Sequence, residues 1–139
     1  MNHAIFIPAL AMVALTFIVL GTMFRRRVAQ MKRDRVHPQA VATSQQAAVL
    51  FTDVAPADNL RNLFEMPVLF YLALVVAAMT AQVTTPVLAL AWAFVAARAL
   101  HSFIHCTYNK VMHRFRAYAL SVFLLLALWC VLGYGLIAG

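Results

Sequence analysis

The sequence predicts an all-α membrane protein, one domain over residues 1–139 built as a four-transmembrane-helix bundle, and three observations carry that prediction. Hydrophobic residues make up 65% of the chain and charged residues only 11%, against about 25% charged in a soluble domain. The runs 4–24, 66–97 and 117–138 contain no formal charge, and a hydrocarbon core of about 30 Å takes about 20 helical residues. The middle run is too long for one helix and is interrupted by QVTTP at 82–86, a turn signal that divides it into two spans.

The first span, 4–24, is almost featureless: Pro8, Thr16, Gly21 and Thr22 are its few departures from large apolar side chains, so it is read as a packing helix. Its basic cluster, Arg25 to Arg27, follows the apolar run. A secretory signal places positive charge before a short apolar core, so this span is expected to be retained. The connection 25–56 holds most of the basic charge and then HPQAVATSQQAA, a small and polar surface composition. It is longer than the usual two to eight residues between bundle helices, which suits a cover over a site as well as a basic anchor on the membrane face.

The second span, 57–81, opens just after Pro56, with Asp58, Asn59 and Asn62 as acceptors near the helix start. Asp58, Arg61, Asn62 and Glu65 recur at helical spacing and form one polar face. Glu65 is the deepest acid, and a buried carboxylate needs a partner. Arg61 lies one turn away, and Arg98 on the third span can reach the same depth, where it would form an interhelical clamp with Glu65. Pro67, inside the same helix, frees the carbonyl of Leu63 and predicts a kink.

The third span, 86–109, ends in a polar stripe, because Arg98, His101, His105 and Asn109 lie at offsets of three, seven and eleven. Polar groups inside a span usually face a bundle interior or a wet cavity and mark function. His101 and His105 have metal-ligand spacing, but Ser102 stands where the best-known two-histidine motif has glutamate, so no metal is expected. The fourth span, 116–138, follows Lys110, His113, Arg114 and Arg116. Lys110 reads as a simple interfacial charge. Arg114 and Arg116 begin a helix, where the macrodipole disfavours cations, and an anionic ligand would remove that conflict.

The basic residues cluster between spans one and two, at the start of span two and around the turn between spans three and four. The positive-inside rule makes that side cytoplasmic and leaves both termini outside. The formal net charge of +7 is then explained by topology and anionic headgroups, with no separate reason to propose nucleic acid as a partner. Cys106 and Cys130 have no CxxC or Cys-His spacing and read as packing residues.

With RNLFE on the second span and ARALHSFIHCTYNKVMHR on the third and its following turn, the chain resembles the MAPEG proteins, the membrane-associated proteins of eicosanoid and glutathione metabolism, over essentially its whole length. The resemblance implies a bacterial-type member in the inner membrane, assembled as a homotrimer, with glutathione as cosubstrate between neighbouring subunits and lipophilic substrates arriving from the bilayer. It further implies that Asn62 and Glu65 engage glutathione, with Arg61 a basic neighbour, that Arg98 and His101 help to hold it, and that Arg114, or Arg116 where spacing varies, stabilises the thiolate. Where many members have an arginine four residues before the asparagine this chain has Asp58, and where some have tyrosine after the glutamate it has Met66. His105 stands in place of a third-span tyrosine, with Tyr108 about a turn further on as its substitute, and the resemblance puts both among the residues expected to bind glutathione. The implied activity is glutathione transfer to hydrophobic electrophiles or reduction of lipid peroxides. The alternative is a non-catalytic bundle of the same fold that binds a lipophilic ligand or a partner protein, and a small transporter is disfavoured by the lack of an inverted repeat.

Overall fold

A computed structural model describes residues 3–138, and all of its regular structure is helical. After a 3-10 turn at His3–Ile5 come α1 (Phe6–Arg33), a second 3-10 turn at Pro38–Val41, α2 (Ser44–Leu50), α3 (Ala55–Leu63), α4 (Met66–Met79), α5 (Thr85–Cys106) and α6 (Val111–Ala138). Four helical stretches are long and apolar enough to cross a bilayer: the first turn with α1, α3 together with α4, α5, and α6. The chain is an integral, multi-pass membrane protein.

The first helix runs on past the apolar run, through the arginine cluster, to Arg33. RRRVAQMKR contains no breaker and is rich in good helix formers. The stop comes from a left-handed residue, Arg35 at φ 52°, after which the Val36 N–H bonds the Met31 carbonyl at 3.0 Å, a 6→1 closure of the last turn. The connection that follows is short helical pieces rather than open loop. Thr43 and Gln46 cap α2 reciprocally, and buried Gln30 holds the return segment by donating to the Leu50 carbonyl and accepting from the Thr52 N–H. Arg26 adds an ion pair with Asp53 at 2.9 Å and a bond to the Cys106 carbonyl at the end of α5.

The second span is broken where a kink was expected. Pro67 has no N–H for the Leu63 carbonyl, and the helix gives way at Phe64 and Glu65, where the amides of Phe64, Glu65 and Val68 bond three residues back instead of four. Pro67 then sits in the first turn of α4. Asn59, expected near the helix start as a cap, makes no cap bond; it is fully buried and turned toward α5, accepting from Ser102 and donating to the Cys106 sulfur.

Between α4 and α6, α5 is the most enclosed of the four spans. Phe70 stacks on Phe94 with ring centroids 4.5 Å apart, Leu125, Leu128 and Leu132 line the facing side of α6, and Ala73, Ala77 and Ala91 form a buried small-residue surface that lets helices approach closely. At the far end, Gln82 donates to the Gly135 carbonyl and ties the turn between α4 and α5 to the end of α6. The core thus fills the deeper half of the bundle. Polar groups gather at the end where α3, the last turns of α5 and the start of α6 meet.

Candidate functional site

Arg98, His101, Ser102 and His105 share the enclosed face of α5, and all four are buried. Arg98 is fully enclosed. Its Nη2 donates to the backbone carbonyl of Asn62 at 3.1 Å, its guanidinium lies over the Tyr118 ring at 5.5 Å, and its Nε and Nη1 have no partner. His101 packs between the rings of Tyr118, at 5.7 Å, and His105, at 5.5 Å. The break in the second span serves this arrangement, because it leaves the Asn62 carbonyl available to a side chain from α5.

Arg114, in the first turns of α6, folds back over the end of α5. Its Nη1 donates to the Asn109 side-chain oxygen at 2.7 Å and lies 3.2 Å from His105 Nε2. A guanidinium only donates, so His105 presents the lone pair of Nε2 here and carries its proton on Nδ1. Asn62, His101, Arg114 and Tyr118 together line a recess of about 250 Å³ closed by Val111 and Phe115. Neither Arg98 nor Arg114 has a carboxylate partner: among the described residues the side-chain ion pairs are Arg26 with Asp53 and Arg33 with Asp34. Arg114 thus gives the recess a cationic wall, while Arg98 lies enclosed against the Tyr118 ring and does not line it.

The remaining candidate residues lie elsewhere. The expected clamp between Glu65 and Arg98 is not formed, because Glu65 is exposed at the helix break while Arg98 turns inward to the Asn62 carbonyl. Arg61 is exposed and borders, with Arg27, Asp58 and Thr43, a polar recess of about 320 Å³ under the first connection. Tyr108, instead of extending the α5 stripe, bonds His113 through its hydroxyl at 3.1 Å. Arg116 lies with that pair on a different side of α6 from Arg114.

A family model described as MAPEG family matches residues 5–134. The chain belongs to the MAPEG family. Its members are membrane glutathione-dependent transferases and peroxidases. No curated protein and no solved structure matched the chain. Within this MAPEG chain the fold brings Asn62, Arg98, His101, His105 and Arg114 to one place, and adds Tyr118, which the sequence did not single out. Tyr118 was findable: it stands four residues after Arg114, one turn along the same helical face.

Proposed function

We propose that this MAPEG protein is a membrane-embedded glutathione-dependent transferase or peroxidase acting on hydrophobic electrophiles or lipid peroxides. The observation that supports the reading is Arg114 lining the recess of Asn62, His101 and Tyr118 with no ion-pair partner among the described residues, while the buried guanidinium of Arg98 lies against the Tyr118 ring. Glutathione, an anionic tripeptide with a thiol, supplies the charge this arrangement lacks. Arg114, at the mouth, stabilises the thiolate; Arg98, Asn62, His101 and His105 hold and orient the rest, with Tyr118 as a wall.

A free thiol has a pKa near about 8.5 and is mostly protonated at neutral pH. Lowering it by about two units takes about 2.7 kcal/mol of preferential stabilisation of the anion, within reach of a poorly hydrated guanidinium. The thiolate then bonds to an electrophilic carbon as its leaving group departs. With a hydroperoxide it attacks the outer oxygen, the O–O bond breaks to give an alcohol, and a second glutathione reduces the sulfenic acid to disulfide and water.

Glu65 and Arg61, exposed on the flank of the second span, are read as facing a neighbouring copy in a homotrimer, where they would complete the glutathione site from beside the recess. The basic end is placed in the cytoplasm of a bacterial inner membrane and both termini outside. An apolar groove of about 490 Å³ between α1 and the second span, lined by Phe17, Leu63, Phe64 and Val68, suits the lipophilic substrate. The same groove supports the second reading, a non-catalytic bundle that carries a lipophilic ligand.

Isothermal titration of the purified protein with glutathione tests the first reading. A stoichiometric signal that is lost in Arg114→Ala, accompanied by turnover of a panel of electrophiles, is the expected result. Heat from lipophilic ligands alone, with none from glutathione, would establish the carrier instead.

A further inference from the structure

Arg114 and Arg116 are two residues apart, so on a helix at about 100° per residue they leave α6 on nearly opposite sides. The recess takes Val111, Arg114, Phe115 and Tyr118; the other side takes His113, Arg116, Ala117 and Leu120. Both sets have the spacing of one helical stripe, displaced from each other by two positions. The second stripe borders a trough of about 380 Å³ whose α5 wall is Leu100 and Ile104, with Tyr108 beyond the helix end.

That trough is graded along its length. Near the start of α6 it presents Arg116, His113 and the Tyr108 hydroxyl. One turn deeper, about 6 Å along the helix, it is wholly apolar, with Ala117 and Ile104 buried as a floor and Leu100 and Leu120 half-exposed as walls. The small Ala117 side chain is what leaves the floor low. Among the described residues Arg116 has no hydrogen bond or ion pair, and none of the four acids, Asp34, Asp53, Asp58 and Glu65, lines the trough. An unpaired guanidinium at the boundary of an apolar span, above a groove walled by Leu100, Ile104, Ala117 and Leu120, matches one amphiphile in charge and in order: phosphate above, acyl chain below.

We propose that the trough between the ends of α5 and α6 seats an anionic phospholipid of the leaflet at the basic end, its phosphate on Arg116 and the Tyr108–His113 pair and one acyl chain against Leu100, Ile104, Ala117 and Leu120. Arg116 is thereby a lipid-binding residue, separate from the glutathione recess and independent of whether that recess catalyses anything. The hydrogen-bonded Tyr108 and His113 form a rigid shoulder beside the headgroup.

The test is a titration of delipidated protein, in an uncharged detergent and without glutathione, with phosphatidylglycerol and with phosphatidylcholine of the same acyl chains, read as bound lipid by native mass spectrometry. Wild type is expected to hold phosphatidylglycerol about five-fold more tightly, equivalent to about 1 kcal/mol, the scale of one basic residue at an anionic surface. Arg116→Gln is expected to abolish that preference, Arg116→Lys to keep most of it, and Lys110→Gln, which removes an equal charge from the same end but outside the trough, to leave it intact. Equal binding of the two lipids by wild type, or a loss in Lys110→Gln as complete as in Arg116→Gln, would overturn the proposal. Displacement of the lipid by glycerol phosphate would also overturn it, by showing a site for soluble anions. Arg114→Ala should leave the lipid preference unchanged, which keeps a failure here distinct from a failure of the glutathione reading.

Discussion

The guanidinium of Arg98 lies over the ring of Tyr118, 5.5 Å from its centroid, and this stack joins α5 to α6 beside the recess that Tyr118 lines. A cation over an aromatic face contributes about 0.5–2 kcal/mol, more when desolvated. Tyr118→Leu is therefore expected to weaken glutathione binding by about three- to thirty-fold in calorimetric titration, while Tyr118→Phe, which keeps the ring, stays within about two-fold of wild type. Equal losses in the two variants would assign the effect to the hydroxyl and remove the stacking account.

On the proposed reading Arg114 governs the thiolate, so its removal should appear in the pH dependence as well as in the rate. With the guanidinium present the bound thiol is expected to ionise below its ordinary range. In Arg114→Ala that stabilisation is gone, and the pH of half-maximal single-turnover rate should rise by about two units, with the rate at neutral pH falling by up to about a hundred-fold. Lys110→Ala, at an exposed position outside the recess, should move neither. An unshifted profile in Arg114→Ala would show that another group sets the thiol's ionisation.

Much of this architecture was legible because hydropathy and helical period are both local. Uncharged runs long enough for a bilayer foretold the spans, and the spacing of Arg98, His101 and His105 foretold their common face. The same period already separated Arg114 from Arg116 and joined Arg114 to Tyr118, so those two assignments needed only geometry that the sequence contains. The break at Phe64 and Glu65 was half visible: Pro67 announces a lost hydrogen bond, but whether a helix bends or opens depends on what takes up the freed groups. Here Arg98, thirty-six residues away, takes the Asn62 carbonyl, and no local pattern records a partner at that distance. Gln30 is hidden for the same reason, since its partners in the return segment lie twenty and twenty-two residues on.

Gln30 sits at the junction of α1 with the first connection, and its side chain is the buried link between them. Gln30→Leu keeps the volume but strands the Leu50 carbonyl and the Thr52 N–H. Both groups belong to exposed residues and their bonds are only part-buried, so water can take them up in part. The loss should stay near the low end of the about 1–3 kcal/mol for a stranded buried group, with a lower melting midpoint and faster proteolysis within 34–54 while the membrane helices stay intact. Asp53→Asn breaks the Arg26 ion pair, whose two side chains are 38% and 44% exposed, and should cost less than about 1 kcal/mol. If the two variants behave alike, the connection is held by something other than Gln30.

Arg98 is a buried cation with two guanidinium nitrogens unpartnered and no carboxylate within ion-pair distance among the described residues, which is a poor arrangement for stability. Replacing a buried ionic group with an apolar residue of similar shape is often neutral or stabilising by about 1–4 kcal/mol. Arg98→Met should therefore raise the thermal midpoint of the ligand-free protein, or leave it unchanged, while abolishing the glutathione-dependent rise in that midpoint expected of wild type. Thermal unfolding with and without glutathione separates the two effects. A destabilised apo variant would instead make Arg98 a structural strut between α5, Asn62 and Tyr118, and its open donors would no longer count as a place reserved for ligand.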